Sequence, residues 1–249
     1  MIKNKLCRKP TADSYIRLIA NNLPDRYSRD EATIPISQRL KNDPELLEDE
    51  IWRIFEVETY IFDPGWDYSP HIHPKSYESW VMVLCKLADE GLLNRNQLVG
   101  GILTGLSMGF MNTTINGYVK FAKSLRPSKS EILAHQERFL QLLASQQSQV
   151  VTFALNNLKA ICREAEFAVK EFIAAAPHTT YSPVKAHAKS TLLILTSIVR
   201  KHPNLMNKAA SLAIEGLSND AVEIQGQYLK ALREWITPDD TDLIGIADG

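Results

Sequence analysis

Leu155-Asn156-Asn157-Leu158-Lys159-Ala160-Ile161 returns as Leu192-Leu193-Ile194-Leu195-Thr196-Ser197-Ile198 and again as Leu229-Lys230-Ala231-Leu232-Arg233-Glu234-Trp235. Each copy lies 37 residues after the one before it. Three apolar columns are thereby in phase: Leu155, Leu192 and Leu229; Leu158, Leu195 and Leu232; Ile161, Ile198 and Trp235. The same stride toward the N-terminus gives Tyr118 and Phe121, then Val81 and Leu84. Within a copy, a spacing of three residues places the pair on one face of a helix. Between copies there is room for one more helix and two short turns. A fixed period of this length marks stacked helix pairs, each too small to bury its own apolar face and sheltered by the next. The expectation is an all-α chain, an α-solenoid of stacked antiparallel helix pairs of the HEAT-like kind (an α-α superhelix), with these columns buried in matching layers. An irregular helical bundle is the main competitor.

Local signals agree with a helical chain. Ser28-Arg29-Asp30-Glu31 and Ser128-Lys129-Ser130-Glu131 fit the capping box, in which Ser and Glu satisfy each other's orphan amides. Asp43-Pro44 and Ser182-Pro183 fit a capping residue followed by Pro in the first turn, and Asp220-Ala221-Val222-Glu223 is a further start signal. These predict helices at 12–23, 29–41, 44–60, 76–90, 94–111, 113–125, 129–145, 147–162, 165–175, 183–201, 204–217 and 220–236. Only Phe55 to Phe62 could pass for a strand, and helix continuation competes with it. Asp63 to Pro74 reads as one long irregular stretch. The expected organisation is one helical-repeat domain over 1–238, less regular over 1–75 and repeating over about 76–236, followed by an acidic tail at 239–249.

Composition narrows the function classes. The chain has 249 residues, 45% hydrophobic and 23% charged, which is ordinary for a folded domain rather than a disordered one. It carries no run of 18 apolar residues, so no membrane span is expected, and its basic start has no apolar stretch behind it to make a signal peptide. Cys7, Cys85 and Cys162 are odd in number and far apart, which implies neither a disulfide framework nor a zinc site. Together these point to a cytoplasmic protein. The net charge of −1 lacks the basic excess usual in a duplex-binding protein. Charge is nonetheless uneven. Residues 181–210 carry Lys185, Lys189, Arg200, Lys201 and Lys208 and no acid, whereas residues 211–249 carry eight acids and two bases.

Candidate chemistry is thin. His71-Ile72-His73, with Asp63 and Asp67 nearby, could supply two imidazoles and a carboxylate to a metal, although a polar loop anchored by Trp66 and Tyr68 explains the same residues. His135, His178, His187 and His202 are scattered, and none pairs with Cys or Ser in a recognisable order. No nucleophile elbow, phosphate-binding loop, dinucleotide turn or HExxH occurs, and no cofactor is implied. Gly101, Gly105 and Gly109 recur at four-residue steps in one helical pattern with Gly100 beside them, which suits close helix–helix approach. Lys120, Lys123, Arg126 and Lys129 surround a helix end, where cations favour the dipole and a phosphate contact is the other option. Trp80 and Trp235 fall on apolar faces and read as core.

Several segments together resemble a known family. They are Trp52-Arg53-Ile54-Phe55-Glu56-Val57-Glu58; Leu87-Ala88-Asp89-Glu90-Gly91-Leu92-Leu93-Asn94-Arg95-Asn96-Gln97-Leu98 after Trp80; Arg126-Pro127-Ser128-Lys129-Ser130-Glu131 leading into Arg138-Phe139-Leu140-Gln141-Leu142-Leu143-Ala144-Ser145; and Ile224-Gln225 before Leu229-Lys230-Ala231-Leu232. In this order, over about 45–235, they resemble a family of uncharacterised bacterial helical-repeat proteins with a domain of unknown function. The resemblance implies a part in a multi-protein assembly beside a MoxR-like ATPase and metal-site partner proteins. It supplies no catalytic residues.

The expected function is therefore a non-enzymatic protein–protein interaction scaffold, with protein partners of unknown identity. The alternative is a DNA-binding protein or HEAT-like DNA-repair glycosylase that uses Lys185, Lys189, Arg200, Lys201 and Lys208. A metal-dependent hydrolase built on His71 and His73 is a third option.

Overall fold

A computed structural model describes residues 12–22, 34–62 and 78–236. The chain is all-α, and no strand occurs among the described residues. His71, His73 and the rest of the irregular stretch 63–74, the capping box at Ser28 and the acidic tail lie outside the described residues. The chain divides into two compact units, Met1–Pro127 and Ser128–Gly249.

The first unit contains α1 (Asp13–Asn22), α2 (Ile36–Lys41), α3 (Pro44–Glu48), a 3-10 turn at Glu50–Phe55, α4 (Trp80–Asp89), α5 (Arg95–Ser107) and α6 (Asn112–Leu125). Side-chain caps fix several starts: Ser79 accepts from Met82 N–H at 3.2 Å, and Asn94 accepts from Gln97 N–H at 3.1 Å. The expected helix over 44–60 is in fact α3 followed by the tighter turn, and the segment to Phe62 is neither helix nor strand. Its purpose in the packing is plain. Phe55 and Phe62 are buried against Tyr118 and Phe121 of α6, with ring centroids 5.0–6.3 Å apart. Glycines let these rings in. A Cβ on Gly101 would lie 2.8 Å from the Phe55 ring, and one on Gly105 would overlap the Tyr118 ring. Gly109 has φ +70 and ends the run just past α5, in the left-handed region that glycine adopts at little steric cost. Trp80 is buried and donates its indole N–H to the Ala20 carbonyl at 2.9 Å, which ties α4 to α1.

The second unit begins at the Ser128 capping box, with both reciprocal bonds in place. It contains α7 (Lys129–Ala134), α8 (Gln136–Gln141), a 3-10 turn at Leu142–Ala144, α9 (Ser148–Ile161), α10 (Val169–Ala175), α11 (Pro177–Thr180), α12 (Lys185–Lys201), α13 (Met206–Glu215), a 3-10 turn at Gly216–Ser218, and α14 (Val222–Trp235). The single helix expected over 129–145 breaks at His135, which has φ −114 and ψ 13. The helices form two layers. In one, α10 touches α8 and α13; in the other, α12 touches α9 and α14. Helices of the second layer start at Ser148, Lys185 and Val222, one stride of 37 apart.

That stride also governs burial. Leu158, Leu195 and Leu232 are buried, as are Ile161, Ile198 and Trp235. The column Leu155, Leu192, Leu229 behaves differently, with exposures of 1%, 9% and 41%. This corrects the expectation that it is buried throughout. α9 has α12 beside it and α12 has α14, whereas no described helix follows α14. The inward column sits one residue earlier: Ala154, Thr191 and Tyr228 are wholly buried. Opposite it, small and large residues trade places. Thr179 meets Thr191 through a 2.7 Å hydroxyl contact, and 37 residues on, Gly216 makes room for the Tyr228 ring. The Tyr228 hydroxyl donates to the Ala188 carbonyl at 2.9 Å and so fixes α14 on α12.

A Cβ at Gly216 would lie 2.5 Å from the Tyr228 ring. Gly216→Ala should therefore cost about 1–3 kcal/mol of unfolding free energy, the usual penalty of overpacking. Urea titration measures the loss, and a double-mutant cycle with Tyr228→Leu should show coupling between the two sites. An unchanged midpoint would mean that the ring simply moves aside.

Candidate functional site

A cleft of about 420 Å³ opens in the second unit, where the starts of α9 and α12 come together. It is lined by aliphatic side chains such as Leu143 and Val151 together with small polar and aromatic groups, among them Ser145, His178, Tyr181 and His187. Among the described residues, no Asp, Glu, Lys or Arg lines it. Its rim is built by a turn that recurs with the stride. Ser145 accepts from Gln147 N–H at 3.2 Å, Ser182 from Val184 N–H at 3.2 Å, and Asn219 from Ala221 N–H at 3.0 Å. Each turn leads directly into the next helix of the second layer. The expectation that Ser182 caps a helix entered at Pro183 is thus corrected. Val184 is the flanking residue, and Ser182 holds the turn before it.

His187 is the centre of this cleft and is only 3% exposed. It occupies the position that Val150 and Ile224 hold in α9 and α14, so an imidazole replaces an aliphatic side chain in a buried column. Burial is tolerable because both ring nitrogens are bonded. Nε2 lies 3.1 Å from the Ser148 carbonyl and 2.9 Å from Thr152 Oγ1, while Nδ1 lies 2.9 Å from Ser182 Oγ. A carbonyl only accepts, so Nε2 carries a hydrogen; in the neutral ring Nδ1 then accepts from the Ser182 hydroxyl. Through these contacts the ring joins α9, the turn and α12 at one point. Burial pushes its pKa down, an effect opposed by the bond to Ser148.

A serine hydroxyl bonded to an imidazole is half of a nucleophile–base arrangement, and the sequence reading, which saw no Ser–His pair, missed it. The surroundings of the pair differ from those of a catalytic one among the described residues. The far nitrogen meets a carbonyl and a hydroxyl rather than a carboxylate, and Ser182 Oγ is engaged by its own turn. The arrangement suits a structural joint. His178 and Tyr181 are exposed at the mouth and hydrogen-bond to each other through Nδ1 and the phenol oxygen.

The basic residues singled out in the sequence are not gathered into one patch. Lys185 and Lys189 reach Glu223 of α14 at 3.5 and 2.5 Å, and these lysines hold the Glu223 carboxyl below the usual carboxylate range. Lys201 donates to the Arg163 and Glu164 carbonyls at 3.0 and 3.1 Å, beyond the end of α9. Arg200 is exposed next to it, and Lys208 is exposed on α13. Along α12, Lys189 and Arg200 are about 16 Å apart at the helical rise of about 1.5 Å per residue.

In the first unit, Lys123 and Arg126 line a concavity of about 550 Å³ with Cys85, Asp89 and Arg95. Arg95 bridges Asp89 at 3.3 Å and the Leu125 carbonyl at 2.8 Å, capping α6. Arg126 carries the left-handed φ of 51 that terminates this helix. The Cys85 thiol is pushed up to about 11 by burial and by Asp89, so it is protonated at neutral pH. Lys129 pairs with Glu164 at 2.7 Å in the second unit. No cluster of three or more His, Cys, Asp or Glu able to hold a metal ion occurs among the described residues. No described helix is long and apolar enough to cross a membrane.

The model of a family described as a domain of unknown function, DUF6493, matches residues 8–186. The chain belongs to the DUF6493 family. No curated protein and no solved structure matches it. The DUF6493 match includes the turn at Ser182 and stops just before His187, within α12.

The His187 joint has a pH signature. Its folded-state pKa lies below the value of 6.5 taken for the unfolded chain, so the unfolded state binds the extra proton. The stability it contributes is complete above that value and is lost as pH falls through it toward the folded pKa. His187→Gln should lower stability at pH above 7 by about 1–3 kcal/mol, because Ser182 and Thr152 lose their partner. It should also flatten the decline in melting temperature below about pH 6.5. Thermal melts across pH test both, and a variant curve parallel to the parent's would remove His187 from the account.

Proposed function

We propose that this chain is a non-enzymatic protein–protein interaction scaffold, built as a HEAT-like α-solenoid of stacked helix pairs. One observation carries the reading. At a stride of 37 residues, the inward positions of α9, α12 and α14 stay buried while the outward ones change chemistry. Exposed Ser148 becomes Lys185 and then Val222; exposed Asn156 becomes Leu193 and then Lys230. A stack whose inner register is constrained and whose outer register is free presents a long, chemically varied surface, as a partner-binding array requires. The joint around His187 supports the same reading, since its groups are occupied in holding helices together. Membership of a bacterial multi-protein assembly in the cytoplasm belongs to this proposal.

The DNA-binding reading draws less support. Three of the five cations proposed for it are engaged with Glu223 or with backbone carbonyls. Phosphate contacts by such residues would come at the expense of these bonds.

Affinity capture with the full chain, followed by mass spectrometry, tests the scaffold. Leu193 is 59% exposed on α12. Capture should retain a protein partner after nuclease treatment, and Leu193→Asp should reduce that retention at least severalfold with an unaltered helical circular dichroism spectrum. Retention that vanishes with nuclease and falls steeply with salt would transfer the function to nucleic-acid binding.

A further inference from the structure

Three helices of the first unit end on a left-handed residue, two with glycine and one without. The chain leaves α4 through Gly91 at φ +75 and α5 through Gly109 at φ +70. It leaves α6 through Arg126 at φ 51, the only non-glycine residue with a positive φ among the described residues. A Cβ is crowded in this region, so glycine would end α6 at lower steric cost. Capping does not call for the arginine either. The carbonyls of Leu125 and Arg126 accept from the Arg95 guanidinium at 2.8 and 3.4 Å, and the Ala122 carbonyl accepts from the Arg126 backbone N–H at 3.0 Å. The negative end of α6 is thereby covered without the side chains of Lys123 or Arg126.

Both residues instead line the concavity of about 550 Å³, with Ser124 between them. Among the described residues, no hydrogen bond or ion pair engages the Lys123 ammonium, the Ser124 hydroxyl or the Arg126 guanidinium. Arg95, Lys123 and Arg126 are set against a single carboxylate, Asp89, so the lining holds two positive charges in excess. Asp89 pairs with Arg95 at 3.3 Å, which leaves that excess on Lys123 and Arg126. The Cys85 thiol is protonated and adds no charge. An anion entering here meets two uncompensated cations, one of them a guanidinium able to hold two oxygens side by side, and a hydroxyl that can donate a further bond. A phosphate monoester matches this set, with a charge of about −1.5 to −2 at neutral pH and three strong acceptor oxygens. A carboxylate or a phosphodiester brings a single charge and only two such oxygens.

We propose that the concavity at the end of α6 is a binding site for a phosphate monoester, held by Lys123, Ser124 and Arg126. Titration of the isotope-labelled full chain at constant ionic strength, followed by NMR, tests this. Inorganic phosphate and a short phosphoserine peptide should each bind saturably at millimolar concentration or below and shift the backbone amide signals of Lys123, Ser124 and Arg126. Diethyl phosphate, a monoanion, should bind at least tenfold more weakly. A peptide that binds tighter than inorganic phosphate identifies a phosphorylated protein segment as the bearer; one that binds no tighter identifies a free small phosphate ester. Arg126→Gly should weaken phosphate binding at least tenfold without lowering the melting temperature, because glycine suits the left-handed backbone. Lys123→Ala should weaken it to a similar degree. Lys120→Ala removes an exposed cation of the same helix that does not line the concavity, and should change binding less than twofold. Absence of saturable binding by either phosphate compound overturns the proposal, as does equal binding of the diester. Phosphate binding that survives Arg126→Gly and Lys123→Ala overturns it too, and so does an Arg126→Gly variant that melts lower, since the arginine then serves the fold.

Discussion

The second unit depends on one constraint: a short helix cannot seal its apolar side alone, so α9, α12 and α14 bury theirs partly against one another. Fully burying a Leu or Ile side chain is worth roughly 1.5–3 kcal/mol. Ordering a residue costs roughly 1–2 kcal/mol in backbone entropy alone. A lone hairpin with its outer side wet falls short on that comparison, whereas α12, with α9 on one side and α14 on the other, does not. Polar groups enter the shared column only where they arrive with partners. Thr191 meets Thr179, and His187 meets Ser148, Thr152 and Ser182. Asn219, almost wholly buried at the last turn, donates to the carbonyls of Thr180 and Ser182 at 3.2 and 3.0 Å.

These partners explain why the stride tolerates such different side chains. The Gly216–Tyr228 and Thr179–Thr191 contacts sit at equivalent places, one solved by shape and the other by a hydrogen bond. Conserving the volume of a contact matters more than conserving either residue, as close-packed interiors demand. The aromatic cluster of the first unit follows the same logic. Gly101 and Gly105 present a smooth flank of α5 to Phe55 and Tyr118, and the irregular segment from Glu50 to Phe62 brings two of the rings there.

Much of this was legible in the sequence because apolar periodicity reports which face of a helix points inward. The columns through Leu158 and Ile161 were read correctly. The column through Leu155 was placed one residue from the innermost line, since Ala154 and Thr191 give a weak hydrophobic signal although they are the more deeply buried residues. Close packing on Gly101 and Gly105 was also readable from spacing, although aromatic rings rather than a helix backbone occupy the space. The breaks were not. His135 interrupts the helix expected over 129–145 without any Pro or Gly to announce it. The cleft was missed for a different reason. The bonds to His187 join residues up to 39 apart, and a histidine in an apolar pattern carries no mark of its partners. One signal was available: Ser145, Ser182 and Asn219 stand one stride apart, each just before a helix start. Small polar residues recurring at the period of the core are turn-formers before they are candidate nucleophiles.

Inward specification has a consequence for where function can reside. When the stride fixes the buried positions and the turns, the freedom left to the sequence lies on exposed faces. Leu193 and Lys230 occupy one phase with opposite character, and so do Lys185 and Val222. A buried side chain is constrained by volume and by its hydrogen-bond partners, whereas an exposed one is constrained by neither, so the outer positions can change chemistry from helix to helix at little cost to the fold.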